Sequence, residues 1–298
     1  KINMINVVFF DDTIDIFTTI IVFLLGVCLI NILAPSFKAT KTRALGLYIW
    51  HSIFCIIYAI ISLRQPADST TYYILSKGSF DFELGTNAVV YFIRFFSDTL
   101  SYLGVFMIFN IFGSIGLLAV DASLRHVTEN KSSFVKFLVI IVVLLPSMNF
   151  WTGAIGKDSI AYMSTGLILW ASINFKQNFS LIFIAFVCMF LVRPHIAAIM
   201  VFAFAFSLLL TKISTLKRIF FIIISLIAIT KVLPIVFQYL MLDQADSLQS
   251  YIDVRQGYNM SGGASLDIRS LSIFNKIFTH GFRPLPYEAH NFLSFMSS

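Results

Sequence analysis

Long apolar runs recur along the whole sequence, and they limit what the chain can fold into. A helix that crosses a hydrocarbon layer about 30 Å thick needs roughly 20 apolar residues. Runs such as Ile219 to Thr230 do not alternate between apolar and polar residues, as the strands of a membrane barrel do. The sequence therefore predicts an all-α, polytopic integral membrane protein with about eight transmembrane helices. The predicted spans are Ile14 to Leu33, Leu45 to Ser62, Ser101 to Val120, Phe134 to Pro146, Ser159 to Asn174, Asn178 to Val192, Ile196 to Leu210 and Arg218 to Leu240.

The composition excludes a soluble domain. Hydrophobic residues make up 58% of the 298 residues and charged residues only 12%, whereas soluble domains carry roughly a quarter charged residues. The three cysteines all lie inside apolar runs, which argues against a disulfide framework and against a thiolate metal site. The basic residues are dispersed in short loops, so the formal charge of +6 does not indicate nucleic acid as a partner.

The distribution of basic residues predicts the orientation of the chain in the membrane. One alternate set of loops holds ten basic residues but only two acids, Asp121 and Glu129. By the positive-inside rule this set is cytoplasmic, and Lys1 lies on the outer face. We expect the cytoplasmic loops to be plain connectors. Their basic residues are Lys38, Lys41, Arg43, Arg125, Lys131, Lys136, Lys176, Lys212, Lys217 and Arg218.

Two parts of the chain are expected to differ in structure. Residues 1–240 are predicted to form a transmembrane helical bundle, and residues 241–298 a large outer loop with short helices. The first span is not a cleavable signal peptide, because Asp11, Asp12 and Asp15 stand where a signal carries positive charge. Polar residues recur every three or four positions from residue 87 to 98, which predicts a helix in the membrane interface.

The polar clusters all fall in the predicted outer loops. They are residues 68–73, 149–158 and 193–195 and the segment after Leu240. A site on the outer face has no ATP or nucleotide sugar available to it. Any group transfer there must use a donor that has already been delivered across the membrane, and lipid-linked sugars are the obvious class.

The segment from Gly153 to Lys157 resembles a phosphate loop only superficially. A Walker A motif has four residues between its glycines and a Ser or Thr after its lysine, whereas two residues and Asp158 occupy these places here. Nucleotide binding is therefore excluded. A turn that opens a helix beside Lys157, with Asp158 or Ser159 as cap, can still bind a phosphate. An ordinary capped helix with a lysine among the lipid headgroups explains the same residues.

Arg193 and His195 stand between two short apolar runs, separated by Pro194. Ionisable groups at membrane depth are costly unless they are paired or hydrated, and they indicate a functional site by default. Arginine grips phosphate with two parallel hydrogen bonds, and histidine exchanges a proton near neutral pH. The alternative is a wet interfacial turn with a snorkelling arginine.

Two further groups of outer residues are candidates. Asp68, which is followed by two tyrosines, is an isolated carboxylate suited to act as a general base on a sugar hydroxyl, although a turn aspartate that caps the next segment fits equally well. The final loop combines cations, aromatic rings and carboxylates that can cover a cavity, although each residue taken alone fits a surface position better. Its candidate residues are Arg255, Arg269, Arg283, Tyr287, Glu288 and His290.

Three segments together resemble a known group of proteins: residues 150–159, 193–197 and 282–291. They are similar to the Wzy-type repeat-unit polymerases of bacterial polysaccharide gene clusters and to related membrane glycosyltransferases. The resemblance covers about the last half of the chain. It implies a bacterial inner-membrane protein with an undecaprenyl-pyrophosphate-linked glycan as substrate, arginine-rich outer loops and no metal requirement. Other membrane proteins of polysaccharide assembly are the expected partners, besides the membrane lipids.

The expected function is a metal-independent glycan polymerase without a cofactor, which moves a chain from undecaprenyl pyrophosphate onto a lipid-linked repeat unit. Arg193, Lys157 and Arg283 are expected to stabilise the charge that develops on the leaving group. The candidates for the general base are, in order, His195, Glu288 and Asp68. One alternative is a GT-C-type transferase that uses a polyprenyl-monophosphate sugar, with Asp68 as base. Another is a transporter or flippase for the lipid-linked glycan.

Overall fold

The structure is a computed structural model, and it describes residues 7–10, 12–65, 67–78, 81–173, 178–210 and 215–239, together with Ser272 and Asn275. Within these residues all regular structure is helical, which confirms the all-α prediction. A 3-10 turn at Ala34–Phe37 follows the first helix. The α-helices are α1 (Thr13–Leu33), α2 (Lys41–Ser62), α3 (Asp68–Ser76), α4 (Thr86–Ser97), α5 (Tyr102–Val127), α6 (Ser133–Val143), α7 (Pro146–Thr152), α8 (Lys157–Ile173), α9 (Phe179–Val192), α10 (Pro194–Leu210) and α11 (Thr215–Tyr239).

Four helical stretches of the described chain are long and apolar enough to cross a membrane: Thr13–Phe37, Lys41–Ser62, Tyr102–Val127 and Ser133–Thr152. Two shorter apolar helices lie at Phe179–Val192 and Pro194–Phe204. The protein is therefore a helical membrane protein. Eight crossings remain a prediction; each predicted run contains helix among its described residues, and the fourth is interrupted between Val143 and Pro146.

The chain divides into two compact units, Lys1–Ile213 and Ser214–Ser298. Of the second unit the structure describes mainly α11, a helix of 25 residues with Pro234 inside it. The predicted outer loop, residues 241–298, lies outside the described residues apart from Ser272 and Asn275.

Helix α5 is the centre of the first unit. It packs against α1, α2 and α8 and is buried on most of its circumference. Its contact with α8 depends on glycine: a Cβ atom at Gly116 would lie 2.8 Å from the backbone N and Cα of Met163, and one at Gly166 would lie 2.6 Å from the Gly116 carbonyl oxygen. Small residues let membrane helices approach this closely, because lipid tails leave packing as the main attraction between helices.

A buried ion cluster corrects the expectation that the cytoplasmic segments are plain connectors. The fully buried carboxylate of Asp121, on α5, accepts hydrogen bonds from Arg43 at 2.6 and 2.9 Å and from Arg125 at 2.8 Å. Arg125 also donates to the carbonyl oxygens of Phe37 and Lys38. The cluster joins α2, α5 and the turn after α1. Asp121 is part of a helix that runs seven residues past the predicted end at Val120, to Val127.

Candidate functional site

A cavity of about 150 Å³ lies where residues of α2, α3, the α7–α8 turn and the end of α9 meet. It is smaller than the roughly 300 to 1,000 Å³ of pockets for drug-sized ligands. It therefore has room for a phosphate group or one sugar ring, not for a whole oligosaccharide. The lining residues are Tyr58, Asp68, Tyr72, Trp151, Ala154, Ile155, Gly156, Lys157, Asp158 and Arg193.

Arg193 enters the cavity because a proline separates two apolar helices. Pro194 has no N–H and restricts the residue before it, so α9 ends at Val192 and Pro194 opens α10. Arg193 itself is not helical, with φ −145° and ψ 74°. Its N–H donates to the Met189 carbonyl oxygen at 2.7 Å, and its own carbonyl oxygen accepts from Ala197 at 3.0 Å. These hydrogen bonds hold the backbone of Arg193 between the two helices, and its side chain lines the cavity.

The guanidinium of Arg193 has one ionic partner and one buried nitrogen without a partner among the described residues. Its Nη2 donates to Oδ1 of Asp158, which lies in the first turn of α8. Its Nε is buried and has no hydrogen-bond partner among the described residues. A buried donor without a partner costs free energy. An anionic ligand that accepts from Nε, and replaces the partly exposed Asp158 carboxylate, is therefore favoured at this position.

The α7–α8 turn forms another wall of the cavity. Its residues Ala154 and Ile155 are buried, and Gly153 packs closely against Cys55 of α2. The turn ends where Lys157 opens α8, and Lys157 and the first turn of that helix both line the cavity. Ser159 donates its hydroxyl to the Gly156 carbonyl oxygen at 3.1 Å. A phosphate oxygen fits this combination of lysine and helix N-terminus.

Aromatic rings complete the site. Tyr58 of α2 lies with its ring 5.7 Å from that of Trp151 and 4.7 Å from that of Phe150. Trp151 lines the cavity, and 45% of its surface is exposed. A flat, partly exposed ring with a polar edge offers a stacking surface for the apolar face of a sugar.

The structure brings together three of the ten residues predicted from the sequence. Asp68, Lys157 and Arg193 line the same cavity, and Asp68 is the first residue of α3, where the sequence predicted a loop. His195 lies half-buried in the first turn of α10 and is not among the lining residues. The other six predicted residues lie outside the described residues: Arg255, Arg269, Arg283, Tyr287, Glu288 and His290.

Among the lining residues that were not predicted as site residues, Asp158 and Tyr58 are the most informative. The sequence reading gave Asp158 only a capping role, and its pairing with Arg193, 35 positions away, has no local signal. Tyr58 lies inside a predicted apolar span, where a single tyrosine looks like packing. Its position one helical turn from the end of α2 is the only indication that it reaches the membrane surface.

A buried polar network links α7, which forms one wall of the cavity, to its neighbouring helices. This network was not predicted from the sequence. His51 of α2 is fully buried, and its Nδ1 lies 2.6 Å from Oδ1 of Asn110 on α5. Its Nε2 lies 3.1 Å from the hydroxyl of Thr152, the neighbour of Trp151 in α7. Asn110 also donates to Ser52 at 2.8 Å. The network ties α7, which carries one wall of the cavity, to α2 and α5.

Comparisons with protein-family models, curated proteins and solved structures find no match for this chain. The described residues contain no group of three or more His, Cys, Asp or Glu side chains able to hold a metal ion. The proposed function therefore rests on the cavity itself.

Proposed function

We propose that this protein is a membrane glycosyltransferase of the polymerase type. It transfers an undecaprenyl-pyrophosphate-linked glycan onto a hydroxyl of a lipid-linked repeat unit, at the cavity between α2, α3, α8 and α9. The observation that carries the proposal is that this cavity combines Arg193 and Lys157 with a carboxylate, Asp68, and the exposed ring of Trp151. The cations suit the leaving group and the ring suits the sugar, and the carboxylate is one of three candidates for the base.

The two cations suit a pyrophosphate leaving group. The bond between the anomeric carbon of the glycan and an oxygen of the pyrophosphate breaks. As it breaks, negative charge grows on the oxygens of the pyrophosphate. Fixed donors that meet this charge lower the barrier, because they need no reorganisation during the reaction. Arg193 offers its Nε and a guanidinium fork, and Lys157 adds the N-terminus of α8. The ion pair with Asp158 holds Arg193 in place before the substrate binds.

A general base must take the proton of the attacking hydroxyl. In the polymerase His195, two residues after Arg193, has this role, with Glu288 and Asp68 as the other candidates. An assay of product formation separates this proposal from a transporter. Purified protein added to a lipid-linked repeat unit should yield a ladder of longer glycans. Absence of any elongation, with transport of the lipid-linked glycan intact, would assign the cations to transport.

One observation favours a second candidate function, a GT-C-type transfer from a polyprenyl-monophosphate sugar with Asp68 as base. Asp68 lines the cavity together with Arg193, whereas His195 does not. The two enzymes are distinguished by the variants Asp68→Asn and His195→Gln. A polymerase that uses His195 should lose at least about 100-fold in rate on the histidine change and less than about tenfold on the aspartate change. The reverse ranking assigns the GT-C function, and Asp98→Asn, an exposed carboxylate outside the cavity, is the matched control.

A further inference from the structure

A second cavity, of about 310 Å³, lies between α2 and α6. On α2 two of its lining residues follow Arg43 by three and four positions and precede Trp50 by four and three, so the four form a single stripe along one face of the helix. Apart from Arg43 the lining is apolar or aromatic, and the cavity is partly open. We call it the α2–α6 slot. Its lining residues are Arg43, Gly46, Leu47, Trp50, Ile140, Val143 and Leu144.

The middle of the slot, at Gly46, and the end that lies away from Arg43, at Trp50, have distinct features. A Cβ atom added at Gly46 would meet no atom within 4 Å, so the helix surface there faces open space. Further along α2, the indole N–H of Trp50 donates to the Leu144 carbonyl oxygen at 3.2 Å and links the two helices. The slot is therefore a narrow apolar channel with a charged group at one end and an aromatic residue at the other.

The charged end carries excess positive charge. Arg43 and Arg125 share one carboxylate, that of Asp121, so the cluster retains one net positive charge. The Arg43 side chain is 33% exposed. Lys136 precedes Ile140 by four positions on α6, which puts it on the side of that helix that lines the slot, one turn nearer to the charged end. An anionic group is the complementary ligand for this end.

The slot is separate from the candidate transfer site. Tyr58, which lines that site, follows Arg43 by 15 positions on the same helix, and this corresponds to about 22 Å along the helix axis. The two cavities therefore lie near opposite ends of a helix long enough to cross the membrane. The charged end of the slot lies among the basic residues that the positive-inside rule assigns to the cytoplasmic side.

We propose that the α2–α6 slot binds one anionic phospholipid of the surrounding bilayer. Its phosphate contacts Arg43, and one acyl chain runs past Gly46 as far as Trp50. The charge at Arg43 selects an anionic headgroup over a zwitterionic one, because a basic residue at the membrane surface contributes an attraction for anionic lipid. The proposal is independent of the glycosyl-transfer activity.

The test uses the purified full chain in detergent and native mass spectrometry with phosphatidylglycerol and phosphatidylcholine of identical acyl chains. The wild type should bind phosphatidylglycerol about fivefold more tightly, the effect of one basic residue at a membrane surface. Gly46→Leu fills the slot and should reduce the ratio between the two lipids to about one. Leucine is a better helix former than glycine, so this variant keeps its fold. Ile49→Phe adds bulk at an exposed position of the same helix that does not line the slot and should keep the fivefold ratio.

Arg43 itself is left unchanged in the test, because it also holds the buried Asp121. Equal binding of the two lipids by the wild type would overturn the proposal, and so would an unchanged ratio in Gly46→Leu. A dimer in the wild type that Gly46→Leu converts to monomer would also overturn it, because the slot would then be a contact between two copies of the chain.

Discussion

Replacing His51 tests whether the buried network stabilises the membrane domain and supports the cavity. The ring makes three polar contacts with other helices, with Asn110 at 2.6 Å, Thr152 at 3.1 Å and Ser114 at 3.3 Å. Hydrogen bonds between helices inside membrane proteins contribute about 0.6 kcal/mol each on average, and a buried acceptor left without a donor costs about 1 to 3 kcal/mol. His51→Leu, which keeps most of the volume, should therefore destabilise the protein by about 1 to 3 kcal/mol.

His51→Ala should cost more, because it also removes the volume of the ring. The site is tightly packed, since a Cβ atom at Gly113 would clash with the His51 ring. A cavity left by a large-to-small change in such a place costs about 2 to 5 kcal/mol. Unfolding by SDS titration in mixed micelles measures both free energies, with His126→Ala, at an exposed position near the end of α5, as control. Unchanged stability of His51→Ala would refute the network as a structural element.

Three further predictions follow from the described residues. Gly116→Ala should destabilise the protein by about 1 to 3 kcal/mol, because the added methyl group overpacks against α8. Gly46→Ala, in open space, should stabilise it by up to about 1 kcal/mol. Thermal unfolding in detergent measures both changes, and equal shifts of the unfolding temperature would contradict the close α5–α8 contact. A cysteine at Lys77 should react with an impermeant thiol reagent from outside and one at Ser132 should not; the opposite pattern would reverse the orientation. Arg193→Lys should restore elongation only weakly, because lysine lacks the bidentate fork; full activity would show that charge alone suffices.

The apolar elements of this fold can be predicted from the sequence, because the length of an apolar run is set by the membrane. Helices α1, α2 and α5 begin within a few residues of the predicted starts, and the amphipathic pattern at residues 87–98 is the helix α4. The predicted end of the fourth apolar run, at Pro146, is wrong. Proline is well accommodated at the first position of a helix, and Pro146 opens α7 here.

Polar contacts between distant helices were not predictable in the same way. The break at Pro194 placed Arg193 correctly between two helices, because proline acts locally. Its partner Asp158 and the network around His51 depend on which helices become neighbours, and one sequence does not contain that information in any local pattern. Asp121 was assigned to a connecting loop for the same reason, since a buried carboxylate on α5 is possible only with Arg43 and Arg125 beside it.

The most direct test of the account is the elongation rate of Arg193→Ala on a lipid-linked repeat unit, measured beside Arg94→Ala. Arg94 is an exposed arginine in the last turn of α4 and does not line the cavity. If the cavity is the transfer site, Arg193→Ala should lose at least about 100-fold in rate, the usual effect of removing one donor to a developing negative charge. It should remain in the membrane at a near-normal level, and Arg94→Ala should elongate like the wild type. Equal, full elongation by both variants would contradict the assignment of the cavity as the site of glycosyl transfer.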